Sequence, residues 1–189
     1  MPPNHFACFP QTVTINLFHT FTPIMMNHEH EPRPDCPPCA GTLPSHELQM
    51  TVLMTPAMAN FSGNVHGGDL LKLLDQVAYS CACRYSGHYC VTLSVDKVTF
   101  KEPIYVGELV AFLASVNHVG RTSMEIGIRV EAQHIRNRTV RHTNSCYFTM
   151  VAVENGKPVP VPALALKTEA QKRRFAAAEQ RKQQRLQGS

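Results

Sequence analysis

The stretch from Asn60 to Asp75, N-F-S-G-N-V-H-G-G-D-L-L-K-L-L-D, decides how this chain is read. A polar loop runs into the pair Gly67-Gly68, and an apolar-periodic segment follows at once. Glycines let backbone N–H groups approach a ligand, and the first turn of a helix adds unpaired donors and partial positive charge. An oxygen that gains negative charge would be stabilised there, so Gly67 and Gly68 are the oxyanion candidates. Two turns further in comes a carboxylate, Asp75, on an otherwise oily helix. Donors at a helix start and an acid inside its body are the two parts an acyl-transfer site needs.

Placed at about 100° per residue, Leu70, Leu71, Leu73, Leu74, Val77, Ala78, Cys81 and Ala82 form a wide apolar arc. Asp75 falls at the edge of that arc, where partial desolvation would raise its basicity. The competing reading is a surface acid paired with Lys72. Asn60 can donate to a carbonyl or hold a water, or close a local Asx-turn. His66 is a base or a capping residue, and a helix start disfavours its protonated form. Cys81 and Cys83 lie in the helix body, away from anything that would activate a thiol, and read as core.

Outward from this helix, which is expected over His66 to about Tyr85 and ended by Ser86-Gly87, the pattern is one of strands. Ser45–Met54 reads as a strand and Pro56–Gly63 as a loop. Tyr89–Glu102 carries Val91, Leu93 and Val95, then shifts phase to Val98 and Phe100, which predicts a bulge. Glu108–His118, Thr122–Ala132 and Val140–Val153 complete the set, with turns at Gly120 and Asn155-Gly156. Val159–Leu166 is a Pro-punctuated connector, and Thr168-Glu169-Ala170-Gln171 has the form of a capping box opening a polar helix. Strand, long helix, then four strands on short turns is an α+β plan: an antiparallel sheet with the helix on one face, for which Tyr89–Ala114 and Met124–Met150 supply the apolar residues.

The bulk properties narrow the class. At 189 residues the chain has room for one domain with a real core. No apolar run approaches the ~20 residues a spanning helix needs, so no membrane is expected. The first basic residue is Arg33, unlike a secretory signal, and the seven cysteines are odd in number and irregularly spaced. A reducing, cytoplasmic location is expected. The net charge of +4 arises from residue 167 onward, leaving a near-neutral body and no basic face for nucleic acid. Residues 1–44 read as a Pro-rich flexible extension, with Met25 or Met26 as alternative starts. Within it, His28, His30, Cys36 and Cys39 form a weak zinc-like pattern, the alternative being incidental thiols.

Four segments resemble the single hot-dog-domain acyl-CoA thioesterases of bacteria, relatives of the tandem-domain cytosolic acyl-CoA hydrolases. They are A-N-F-S-G-N-V-H-G-G-D-L-L-K-L-L-D-Q-V-A from Ala59, V-T-L-S-V-D-K-V-T-F-K-E-P-I from Val91, G-R-T-S-M-E-I-G-I-R-V from Gly120, and H-T-N-S-C-Y-F-T-M-V-A-V from His142. The resemblance spans residues 45–165 and leaves 1–44 and the basic 166–189 outside. It implies a curled antiparallel sheet around a central helix, and a catalytic pair formed by Asn60 and Asp75. Asp75 would activate a water or, as the alternative, attack as a nucleophile. No cofactor is implied, since coenzyme A belongs to the substrate. Contacts to its phosphates are expected from Lys97, from Gly120, Arg121, Thr122 and Ser123, and from Arg129, whose alternative is a neighbouring subunit. Lys172, Arg173 and Arg174 are further candidates, but the polar C-terminal helix that carries them is expected to be solvated. An acyl chain would pass Leu74 and Ala78. Relatives share their sites between protomers, so a homo-oligomer is expected, a dimer at least and a trimer of dimers in full. The H-F-P-type motif of hot-dog dehydratases is absent. A non-catalytic acyl-CoA sensor or scaffold on the same fold is the rival function.

Overall fold

The computed structural model describes residues 45–96 and 98–187. The Cys-x-x-Cys arm and Lys97 lie outside the described residues. In chain order the elements are β1 (Glu47–Leu53), a short 3-10 turn (Pro56–Met58), α1 (Gly67–Ser86), β2 (Tyr89–Val95), β3 (Leu109–Val119), β4 (Ser123–Gln133), β5 (Val140–Glu154), β6 (Lys157–Pro158) and α2 (Glu169–Gln187).

α1 starts and stops for identifiable reasons. His66 caps it, its Nδ1 accepting from the Gly68 N–H at 2.9 Å. Gly87 closes it at φ 73°, in the left-handed region, with its N–H on the Cys83 carbonyl at 2.9 Å. Leu70, Leu74, Val77, Ala78, Cys81 and Ala82 are buried, as the periodicity requires. Each large side chain among them contributes about 1.5–3 kcal/mol by leaving water. Leu74→Ala, at 0% exposure, would open a cavity costing about 2–5 kcal/mol.

The sheet runs β1-β3-β4-β5-β2, antiparallel throughout, with the two-residue β6 beside β5. On β4 the alternation holds: Met124, Ile126, Ile128, Val130 and Ala132 are buried against the layer that includes α1. Asn155 and Gly156, at φ 50° and 75°, form the two-residue turn that joins β5 to β6. A sheet wrapped on a central helix is therefore observed.

Three expectations change. β2 ends at Val95 rather than reaching Glu102; its bulge falls between Thr92 and Ser94, and residues 98–108 are irregular apart from an isolated bridge. The apolar β2 residues Tyr89, Val91, Leu93 and Val95 are exposed, and only Cys90 of that strand is buried. Composition cannot separate a core face from an interface face, and β2 is an edge strand. Finally, the C-terminal helix is docked, not solvated. Its capping box forms reciprocally, Gln171 N–H to Thr168 Oγ1 at 3.2 Å and Thr168 N–H to Gln171 Oε1 at 3.0 Å. α2 covers the sheet face opposite α1: Ala178 is buried, Phe175 stacks on His118, and Arg181 lies over the Tyr147 ring at 3.6 Å. Arg181 also grips the buried Glu125 at 2.6 Å, and Arg185 bonds Asp96 at 2.5 Å.

Candidate active site

Asp75 sits on the ninth residue of α1 and is exposed in the single chain, so the desolvation expected at the arc's edge is not supplied by this chain alone. Its partner is not Lys72. Thr92, on β2, donates its Oγ1–H to Asp75 Oδ1 at 2.6 Å. That short charge-assisted bond fixes one carboxylate oxygen and leaves Oδ2 for a water. The sequence reading missed Thr92. Its only signal was a hydroxyl in an otherwise apolar run of a strand that directly follows the helix.

Asn60 adopts the Asx-turn. Its Oδ1 accepts from the Ser62 N–H at 2.9 Å and the Asn64 N–H at 3.1 Å. With Oδ1 committed to two backbone donors, Nδ2 is the half of the amide left to donate to a carbonyl or water. The loop is further closed by the Asn60 N–H on the Asn64 carbonyl at 2.7 Å and the His66 N–H on the Met58 carbonyl at 2.7 Å. The neighbouring Phe61 is fully exposed.

Of the two oxyanion candidates, Gly68 already gives its N–H to the His66 ring. Gly67 has no such partner among the described residues, and Phe100 stands 3.8 Å from where a Cβ would project. His66 is therefore a cap whose Nδ1 is engaged at the helix start. Cys81, Cys90 and Cys146 are buried, and burial pushes the thiols of Cys81 and Cys146 up to about 12 and that of Cys90 up to about 11. None is a nucleophile at neutral pH. Among the described residues no cluster of His, Cys, Asp and Glu has the makings of a metal site, and no helix is long and apolar enough to cross a membrane.

The expected coenzyme A contacts fall in two places. Gly120 to Ser123 form the β3–β4 turn, closed by the Gly120 N–H on the Ser123 carbonyl at 2.7 Å and tied to β5 by the Ala152 N–H on the Thr122 carbonyl at 3.0 Å. Ser123 pairs with Val151 and Thr92 with Met150, so the turn and the Asp75–Thr92 pair share one end of the sheet. Arg129 is on the α2 side, bonded to Glu131 at 2.6 Å. It lines a shallow cavity of about 350 Å³ with Gln49, Asn117, Tyr147 and Arg174. Lys172 pairs with Glu169 within α2.

Comparisons with known proteins agree with this layout. The thioesterase superfamily model matches residues 62–138. A solved structure described as an apo-hexameric acyl-CoA thioesterase is 35% identical, with a TM-score of 0.73, over 76% of this chain and 92% of that one. The chain belongs to the acyl-CoA thioesterase family. This thioesterase-family chain is also 56% identical over 142 residues to protein VdlD of Helicobacter pylori, covering 75% of this chain and 82% of VdlD. The acyl-CoA hydrolase of Staphylococcus aureus, solved with butyryl coenzyme A and coenzyme A, is 27% identical with a TM-score of 0.69, over 76% of this chain and 91% of that one. That hydrolase was also solved as variants with one Asp, one Asn or one Thr replaced by alanine.

Proposed function

We infer that this thioesterase hydrolyses fatty acyl-CoA to a free fatty acid and coenzyme A. The observation that carries the reading is the Thr92–Asp75 bond of 2.6 Å at the sheet's edge strand. The Asn, Asp and Thr substituted in the S. aureus hydrolase are separated by 15 and 17 residues, the same separations as Asn60, Asp75 and Thr92.

In the proposed reaction Asp75 Oδ2 takes a proton from a water whose oxygen attacks the thioester carbonyl carbon. The oxygen of the tetrahedral intermediate is stabilised by the Gly67 N–H and Asn60 Nδ2, each such donor being worth about 3 kcal/mol. Collapse breaks the C–S bond, and the departing sulfur receives the proton held by Asp75. No cofactor enters. The turn Gly120–Ser123, with Arg121 and Arg129, receives the phosphates of coenzyme A.

The site is completed by a second copy. β2 presents Tyr89, Val91, Leu93 and Val95 to solvent along an unpaired edge, and Phe61 is bare beside Asn60. Pairing across β2 would cover these apolar groups and desolvate Asp75. The hexameric relative supports a trimer of such dimers. The four free thiols among the described residues accord with a cytoplasmic location.

Thiol release from palmitoyl-CoA tests the reading. Wild type is expected to release coenzyme A and Asp75→Asn to lose at least 100-fold in kcat. No release by wild type over short to long acyl chains would favour a sensor or scaffold, and undiminished release by Asp75→Asn would remove Asp75 as the base. Mixing Asn60→Ala with Asp75→Ala subunits is expected to restore activity through one intact shared site. Single-turnover hydrolysis in ¹⁸O-water separates base from nucleophile: label in the first fatty acid released supports the base, label retained on Asp75 supports an anhydride.

A further inference from the structure

The loop that presents Asn60 is held at both ends by one segment, residues 104–108. At the loop's start, the Met54 N–H donates to the Glu108 carbonyl at 2.9 Å, and the Gly107 N–H donates to the Met54 carbonyl at 2.7 Å. At its end, Asn64 bridges Tyr105, and the Val65 N–H donates to the Ile104 carbonyl at 2.8 Å. Gly107 takes φ 86°, a left-handed conformation that lets this segment double back.

The segment is fixed in turn by an ion pair the reaction does not use. Glu108, with its side chain 4% exposed, accepts from the Tyr105 N–H at 2.9 Å and from Arg141 Nη2 at 2.6 and 2.8 Å. Arg141 sits on β5. Its other arm donates to the Pro103 carbonyl at 3.1 Å, and its guanidinium lies 5.3 Å from the centre of the Tyr105 ring. A planar fork that reaches a carboxylate, a backbone carbonyl and an aromatic ring from a rigid strand is a clamp that Lys cannot reproduce.

We propose that Arg141 and Glu108 are positioning residues for Asn60, transmitting the rigidity of β5 through Tyr105 and Asn64 to the Asx-turn that aims Nδ2. The path is continuous: Arg141 to Glu108, Glu108 to the Tyr105 backbone, Tyr105 to Asn64, and Asn64 N–H to Asn60 Oδ1 at 3.1 Å. It rests on the reading that Asn60 contacts the reacting carbonyl or water. An ångström of drift in such a donor costs up to about 100-fold in rate.

The test is a double-mutant cycle on the assembled enzyme, read as kcat for palmitoyl-CoA hydrolysis. Arg141→Lys and Glu108→Gln are each expected to lower kcat about 10- to 100-fold with little change in KM. In an Asn60→Ala background the same substitutions are expected to cost nothing further, because the residue they aim is gone. In a Thr92→Ala background their full effect should persist. Multiplying losses in the Asn60→Ala background would overturn the positioning role and leave the function of Asn60 intact. Wild-type kcat in Asn60→Ala itself would overturn the reading of Asn60 and the proposal with it. Should Arg141→Lys fail to fold, the milder Glu108→Gln and Tyr105→Phe/Glu108→Asp variants run the same cycle, and Glu108→Asp is expected to recover part of the rate.

Discussion

Replacing Thr92 with Val removes its hydroxyl and little else. Valine keeps the β-branched shape that suits β2, but it cannot donate to Asp75 Oδ1, now held at 2.6 Å. A hydrogen bond to a charged group is worth about 1.5–3 kcal/mol. If the bond fixes the carboxylate in the attacking geometry, its loss lowers kcat by about 10- to 150-fold, since each 1.36 kcal/mol is tenfold. The fold should hardly notice, because Thr92 is exposed in the single chain and its other contact is a 3.5 Å bond to the Met150 sulfur. The assay is thiol release at saturating acyl-CoA, with a urea midpoint on the same preparation. Thr92→Ser is the control: it restores the donor and should recover most of the rate. A Thr92→Val enzyme with wild-type kcat would refute the argument that this hydroxyl orients the acid. So would a loss confined to KM, which would place the hydroxyl in ground-state binding instead.

Three further outcomes follow from the geometry. Leu93→Lys, placing a charge on the exposed apolar edge of β2, is expected to lower the oligomeric state in sedimentation and to remove activity in parallel; an active monomer would show that one chain holds a whole site. Arg181→Met leaves Glu125, 3% exposed, without its main partner and should cost about 3 kcal/mol in urea unfolding, whereas Arg181→Met/Glu125→Leu should recover most of it; equal losses in the two variants would count against the buried pair as the cause. Thiols pushed up to about 12 remain almost wholly protonated at pH 8, so Cys81 and Cys146 should resist iodoacetamide in the native protein and react once it is unfolded, as peptide mass mapping would read; native labelling of either would place it nearer solvent than the core packing does.

What was legible in the sequence was local. The helix and its glycine stop follow from spacing and backbone preference, as do the alternation of β4 and the capping box at Thr168, all within a few residues of their cause. Pairings over longer separations were not legible. Thr92 meets Asp75 across 17 residues, and Arg181 meets Glu125 across 56, only because a helix and a sheet bring them together. Val98 and Phe100 imitate a continued strand in hydrophobicity. Instead, Val98 packs against the core and Phe100 stands over Gly67, in a segment whose backbone is held by the Lys101 N–H on the Thr143 carbonyl at 3.0 Å. The docking of α2 was hidden because its contacts with the sheet are mostly ion pairs and a ring stack, which a polar helix shows as readily when it is solvated.

The exposure of Asp75 and the exposure of β2 have one physical cause. Thr92 belongs to the strand that closes the sheet, so the residue that bonds Asp75 lies on the border left without a neighbour. The bare apolar side chains beside the acid are costly while they face water. In the dimer proposed above, covering the edge with another copy would bury Tyr89, Val91 and Leu93 and dry the space around the acid. On the proposed reading, assembly and basicity would depend on the same surface. On the same reading, a β2 made more polar would weaken the assembly and leave the acid hydrated.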